Sequence, residues 1–316
     1  MKSNGKLSNE DGGYLLPGKY ADYATHIKDF VDYQKNQGLN IYAVSIQNEP
    51  DWKVTYDGCS WTPAQMVSFI QNHGDQLGAK VMVGEAVNNH NKSYTNALLN
   101  DAVAVNKFDI VATHLYGGGI APDHLAAQKG KEFWMTEHLF NDTQKDADMP
   151  EINWTWKPSL DYVAKEIHDC MAANFNAYVW WYLKRFYSMI ADGDSKNLVA
   201  DGEITKRGYI MGHYAKYATG RTRIQSTVQN VHEPESDLLV TAYQGNGEYT
   251  AVIINRNAVG LRIELATPSE IVSSSAVETT ENKNMASVES EISDSKKSVT
   301  VGISPNSIVS VKMIFQ

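Results

Sequence analysis

Residues 41–50 read Ile41-Tyr42-Ala43-Val44-Ser45-Ile46-Gln47-Asn48-Glu49-Pro50. The first six form a short, nearly continuous apolar run, the mark of a strand covered on both faces. The run stops in amides and a carboxylate, where an ordinary turn would bring Gly, Asp or Ser. Four more runs of this kind follow. Lys80-Val81-Met82-Val83-Gly84 ends in Glu85, and Phe108-Asp109-Ile110-Val111-Ala112-Thr113-His114 leads into Leu115-Tyr116. Phe133-Trp134-Met135-Thr136-Glu137 leads into His138, and Ala177-Tyr178-Val179-Trp180-Trp181-Tyr182 into Lys184-Arg185. Helical patterns lie between them. Residues 20–37 place Tyr23, Ile27, Phe30, Val31 and Gln34 on one face and stop at Gly38. Thr62-Pro63 opens a helix running to about Leu77, with Pro at the first helical position. Further helices are predicted near 94–104, 122–129, 158–174 and 206–217. Strands alternating with helices specify a parallel sheet in an α/β fold.

After about residue 219 the helical period disappears. Leu238–Tyr243, Tyr249–Ile254 and Ile308–Ile314 read as strands, and 267–300 is rich in Ser, Thr and Glu. The predicted organisation is an α/β domain over 1–218 and an all-β sandwich over 219–316.

The chain has 316 residues, 42% hydrophobic and 21% charged, which is ordinary for a globular protein and excludes wholesale disorder. No apolar run is long enough for a membrane helix. With 37 acidic against 28 basic residues the net charge is −9, which argues against non-specific nucleic-acid binding. Cys59 and Cys170 are too few for a disulfide framework and lack the spacing of a zinc site; neither metal nor cofactor is expected. The 7 Trp, 17 Tyr and 8 Phe offer flat faces with polar edges, suited to stacking on sugar rings or to filling a large core.

In parallel α/β folds, functional groups gather at the carboxyl ends of the strands. Two carboxylates at one such mouth point to glycoside hydrolysis. One must be protonated to serve the leaving oxygen and the other ionised to attack the anomeric carbon, so their environments must separate their pKa values. Asn48 is placed to hydrogen-bond a sugar hydroxyl. His114 and Tyr116 lie two residues apart and share a side; Tyr116 can hydrogen-bond the nucleophile and His114 can orient sugar or acid. Of the adjacent Trp180 and Trp181, one is expected in the core and the other, Trp181, as a floor for the sugar.

Four segments carry a resemblance: Ser45-Ile46-Gln47-Asn48-Glu49-Pro50-Asp51, Thr113-His114-Leu115-Tyr116, Trp134-Met135-Thr136-Glu137 and Tyr178-Val179-Trp180-Trp181-Tyr182. In this order and spacing they resemble glycoside hydrolase family 30, in its bacterial xylanase and glucuronoxylanase branch. The resemblance implies a (β/α)8 TIM-type barrel with a β-sandwich attached and a retaining endo-β-1,4-xylanase acting on xylan. It implies Glu49 as acid/base and Glu137 as nucleophile, with Tyr182 beside the sugar. Arg185 matches the arginine that binds a glucuronate side chain in that branch, a contact a guanidinium can make bidentately. His138-Leu139-Phe140-Asn141 stands where the family usually has a pair of tyrosines, which bears on how strictly uronate is required.

Five strands stand where the barrel has eight. The chain is therefore expected to begin after the family's third strand, lacking roughly 90 residues. It is then expected to be poorly active or inactive alone, because its sheet edges are open. No secretory leader follows Met1; extracellular work, with the leader upstream, and a monomer are expected. Competing readings are a β-1,6-glucanase or glucosylceramidase of the same family, an inactive sugar-binding protein, and a five-stranded doubly wound binding protein. The last would need a glycine-rich phosphate loop, and the first strand is followed by Glu49-Pro50 instead.

Overall fold

The five apolar runs form one parallel sheet in the computed structural model, which describes residues 1–140, 155–229 and 237–316. Asn141 lies outside these. The strands are β1 (Ala43–Ser45), β2 (Lys80–Ala86), β3 (Ile110–His114), β4 (Glu132–Glu137) and β5 (Ala177–Tyr178). Their order in the sheet is their order in the chain, and every pairing is parallel. Successive neighbours laid down one after another are the pattern of a β/α barrel wall, whereas a doubly wound sheet reverses its order at a switch point. The doubly wound alternative is thereby set aside.

The chain divides into two compact units, Met1–His138 with Ala173–Val179, and Leu139–Ala172 with Trp180–Gln316. The boundary predicted after residue 218 falls inside the second unit.

In the first unit the sheet carries helices α1 (Tyr20–Asn36), α2 (Pro63–His73), α3 (Ser93–Asn100) and α4 (His124–Gln128). Three of the four start or stop for a local reason. Thr62 and Gln65 exchange side-chain and backbone hydrogen bonds in a capping box, with Pro63 opening α2. Asp123 caps α4 by accepting from the Ala126 N–H. Gly38, at φ +86°, closes α1 in the left-handed conformation. The buried stripe of α1 is Tyr20, Ala24, Ile27 and Val31; Phe30, predicted on the same face, is 54% exposed. At about 100° per residue the steps 20, 24, 27 and 31 stay on one narrow stripe, and Phe30 falls roughly a quarter-turn to its side. Val83, Ile110, Val111, Phe69, Leu98 and Leu99 are fully buried in this unit.

Two predicted strands are shorter than expected. The run 41–46 pairs only over Ala43–Ser45, and the run 177–182 only over Ala177–Tyr178. The Val179 N–H still bonds to the Met135 carbonyl. Beyond it no further ladder pairing forms, although β4 continues to Glu137. Trp180, Trp181 and Tyr182 are therefore not strand residues.

The second unit holds α5 (Trp156–Pro158), a π-helical turn over Ser159–Ala164, α6 (Lys165–Ala172) and α7 (Lys206–Tyr217). Its remainder is antiparallel: β6 (Thr222–Ile224), β7 (Leu238–Gly245), β8 (Glu248–Asn255), β9 (Leu261–Ala266), β10 (Ile271–Thr279), β11 (Ala286–Val288), β12 (Ser290–Ile292), β13 (Ser298–Ile303) and β14 (Ser307–Phe315). Six of these strands form a sheet in the order β11-β10-β14-β8-β7-β6, and three another in the order β12-β13-β9. Ile253, Val309 and Val311 from the larger sheet and Val299, Val301 and Ile303 from the smaller share one apolar core, as in a sandwich.

Candidate active site

Glu49 sits one residue before Pro50, on a loop held from several sides. Tyr23 Oη donates to the Ile46 carbonyl at 2.8 Å, tying the end of β1 to α1. Trp61 Nε1 donates to Gln47 Oε1 at 3.2 Å. Asp51 accepts from the Val87 N–H at 3.0 Å and from Asn91 Nδ2 at 2.7 Å, joining the loops after β1 and β2. The Glu49 N–H donates to the Glu85 carbonyl at 3.1 Å. Glu49 and Glu85 both take left-handed backbone angles, φ +43° and +47°. A side-chain-bearing residue pays for that conformation in strain, and such residues concentrate at functional sites.

His114 ends β3 and Glu137 ends β4, and the two are register partners. His114 is fully buried; its Nδ1–H donates to Glu49 Oε1 at 2.9 Å. Tyr116 Oη donates to Glu137 Oε1 at 3.0 Å. The Tyr116 ring packs edge-on against His114 at 6.0 Å and against His138 at 5.1 Å. One oxygen each of Glu49 and Glu137 and one nitrogen of His114 lie within 4.8 Å of one another. Such a trio has metal-ligating chemistry, but here the imidazole Nδ1 is engaged as a donor to Glu49. The geometry is that of two carboxyl groups facing each other, each steadied by its own donor.

The electrostatics follow from burial. Removal from water disfavours a charge on His114, but the Glu49 and Glu85 carboxylates, with the field of Glu137, outweigh it and raise the imidazole to about 9. The shift favours the imidazolium form. Burial pushes the Glu137 carboxyl above the ordinary glutamate value, while His114 and the Tyr116 hydroxyl pull against that rise. Tyr56, on the loop after β1, is raised first by burial and then by the fields of Glu49 and Glu137.

Among the residues singled out by sequence, Glu49, His114, Tyr116 and Glu137 come together. Asn48 is exposed beside them in the chain, its carbonyl accepting from Gln47 Nε2. Trp181, Tyr182 and Arg185 belong to the second unit. There Trp180 is buried and Trp181 is 46% exposed, edge-on to Tyr182 at 4.9 Å. Arg185 is half-exposed, with Asp192 at 4.0 Å. Glu85 was visible only as a strand end, and Ser45, which donates to its carboxylate, was not singled out. Nor were Trp52 and Tyr56, exposed aromatics on the loop after β1; their rings within ten residues of Asn48-Glu49 were the available signal.

No family model matches the chain. The Glucuronoxylanase XynC of Bacillus subtilis (strain 168) is 37% identical over 254 residues, covering 78% of this chain and 55% of that protein. The chain thus spans about half the length of the curated relatives it matches. The solved structure of the glycoside hydrolase family 30 subfamily 8 xylanase Xyn30A from Clostridium acetobutylicum superposes with a TM-score of 0.86 at 30% identity, covering 99% of this chain and 76% of that one. A family 30 endoxylanase from Clostridium papyrosolvens C71 gives 0.79 at 28%, over 96% and 73%. The parallel sheet is accordingly five strands of a TIM-type barrel accompanied by an all-β side domain. With its paired carboxylates and these relatives together, the chain belongs to glycoside hydrolase family 30.

Proposed function

We propose that this protein is a retaining endo-β-1,4-xylanase acting on glucuronate-bearing xylan. The observation that carries the reading is the approach of Glu49 and Glu137 oxygens to within 4.8 Å. Carboxyl groups about 5–5.5 Å apart suit a covalent intermediate, whereas inversion needs about 6.5–9.5 Å to seat a water between them. The relatives' names supply the substrate class.

Glu137, ionised and held by Tyr116, attacks the anomeric carbon. The bond to the leaving oxygen breaks as Glu49 gives that oxygen its proton. Glu49, now a carboxylate, takes a proton from water, and the resulting hydroxide displaces Glu137 from the sugar. Two displacements at one carbon restore the β configuration. Arg185 is assigned to the glucuronate carboxylate and Asn48, Trp181 and Tyr182 to the sugar chain. A polymeric substrate that cannot enter a cell supports work outside it; among the described residues no helix is long and apolar enough to cross a membrane.

Incubation with glucuronoxylan, followed by proton NMR before mutarotation, tests this. The first-formed reducing ends should be β. Initial α products, or failure to release any oligosaccharide, would overturn it.

A further inference from the structure

We propose that Glu85 is a positioning residue, the counter-ion that keeps His114 a permanent donor to Glu49. The proposal rests on the reading of Glu49 as the acid/base. Glu85 is 6% exposed at the end of β2, and its Oε1 lies 3.8 Å from His114 Nε2, on the side of the ring away from Glu49. That is too long for a hydrogen bond but close for opposite charges. Among the described residues His114 Nε2 has no partner within hydrogen-bond distance. Ser45 Oγ donates to the second oxygen of Glu85 and orients the carboxylate.

The backbone is built to deliver it. Gly84 has φ +101°, and a Cβ there would meet the Ala112 carbonyl oxygen at 2.7 Å. The β2–β3 register shifts between Gly84 and Ala86. This bulge turns Glu85 toward His114, as bulges beside active sites re-aim side chains. The groups facing the imidazole among the described residues are Glu49 from the loop after β1, Glu85 from β2, Glu137 from β4 and the Tyr116 ring.

The chemical reason is tautomeric. A neutral imidazole could present the Nδ1 lone pair to Glu49 and draw the acid proton onto itself, away from the glycosidic oxygen. A doubly protonated ring has no lone pair to offer. Its Nδ1–H can bond Glu49 both as acid and as carboxylate, so one arrangement serves both half-reactions.

The test is a titration of His114 by nitrogen-15 NMR on histidine-labelled protein, assigned with His114→Gln. It needs no turnover, so it stands even if xylan is not cleaved. Both ring nitrogens should be protonated at pH 7.5, and Glu85→Gln should lower the midpoint by roughly one to three pH units. Glu85→Asp should give a smaller drop. A neutral His114 at pH 7.5 in the unaltered protein would overturn the proposal, whether or not the variants fold. So would a midpoint unmoved in a folded Glu85→Gln.

Discussion

Tyr116→Phe isolates one hydrogen bond at the centre of the site. The substitution removes only the hydroxyl that donates to Glu137 Oε1 at 3.0 Å and leaves the ring against His114 and His138. A hydrogen bond to a charged group contributes about 1.5–3 kcal/mol. If Glu137 attacks as a carboxylate, that loss corresponds to roughly 10- to 150-fold in kcat/KM. A second consequence separates this from general damage. Burial raises the Glu137 carboxyl while Tyr116 and His114 hold it down. Removing the hydroxyl raises it further, so the nucleophile stays protonated to higher pH and the acidic limb of kcat/KM moves upward. The assay is initial rates on an aryl β-xylobioside between pH 4 and 9; its good leaving group keeps a slow enzyme measurable. Rates within twofold of the parent with an unmoved acidic limb would refute the argument.

Glu49→Ala should retain glycosylation by an activated aryl substrate and accumulate the covalent intermediate, and azide should relieve it. Mass and NMR analysis should find the β-azide; the α-azide would reverse the two carboxylates' roles. Arg185→Ala should lower kcat/KM on glucuronoxylan by roughly 30- to 150-fold, the value of a bidentate charge-assisted contact, with little loss on undecorated xylooligosaccharides. Equal loss on both would make Arg185 structural. Gly84→Ala places a side chain at φ +101° against the Ala112 carbonyl and should cost about 1–3 kcal/mol, read as a lowered urea midpoint. An unchanged midpoint would show that the bulge tolerates a Cβ.

The sequence made the strand ends legible because each apolar run stops abruptly in polar or aromatic residues, and parallel topology gathers such ends on one face. Glu49, His114, Tyr116 and Glu137 came from that reasoning. The role of Glu85 did not, because it depends on a glycine-bearing bulge and a left-handed backbone angle that periodicity does not encode. Strand lengths were over-read at 41–46 and 177–182, since an apolar run marks burial, while a strand is defined by backbone pairing, which stops at Ser45 and Tyr178. The change to all-β character after residue 219 was plain in composition. The grouping of residues 139–172 and 180–218 with the second unit was not, because helical periodicity shows which face is buried but not against what.

On the proposed mechanism Glu137 forms a covalent bond to the sugar while Glu49 manages the proton. An activated 2-deoxy-2-fluoro xylobioside slows both displacements, and its good leaving group lets the first proceed, so the intermediate should persist. Proteolysis and mass spectrometry should find one fluoroxylobiosyl group, on the peptide containing Glu137 and attached to its carboxyl, and none in Glu137→Gln. A label on Glu49, or on another carboxyl, would contradict the account.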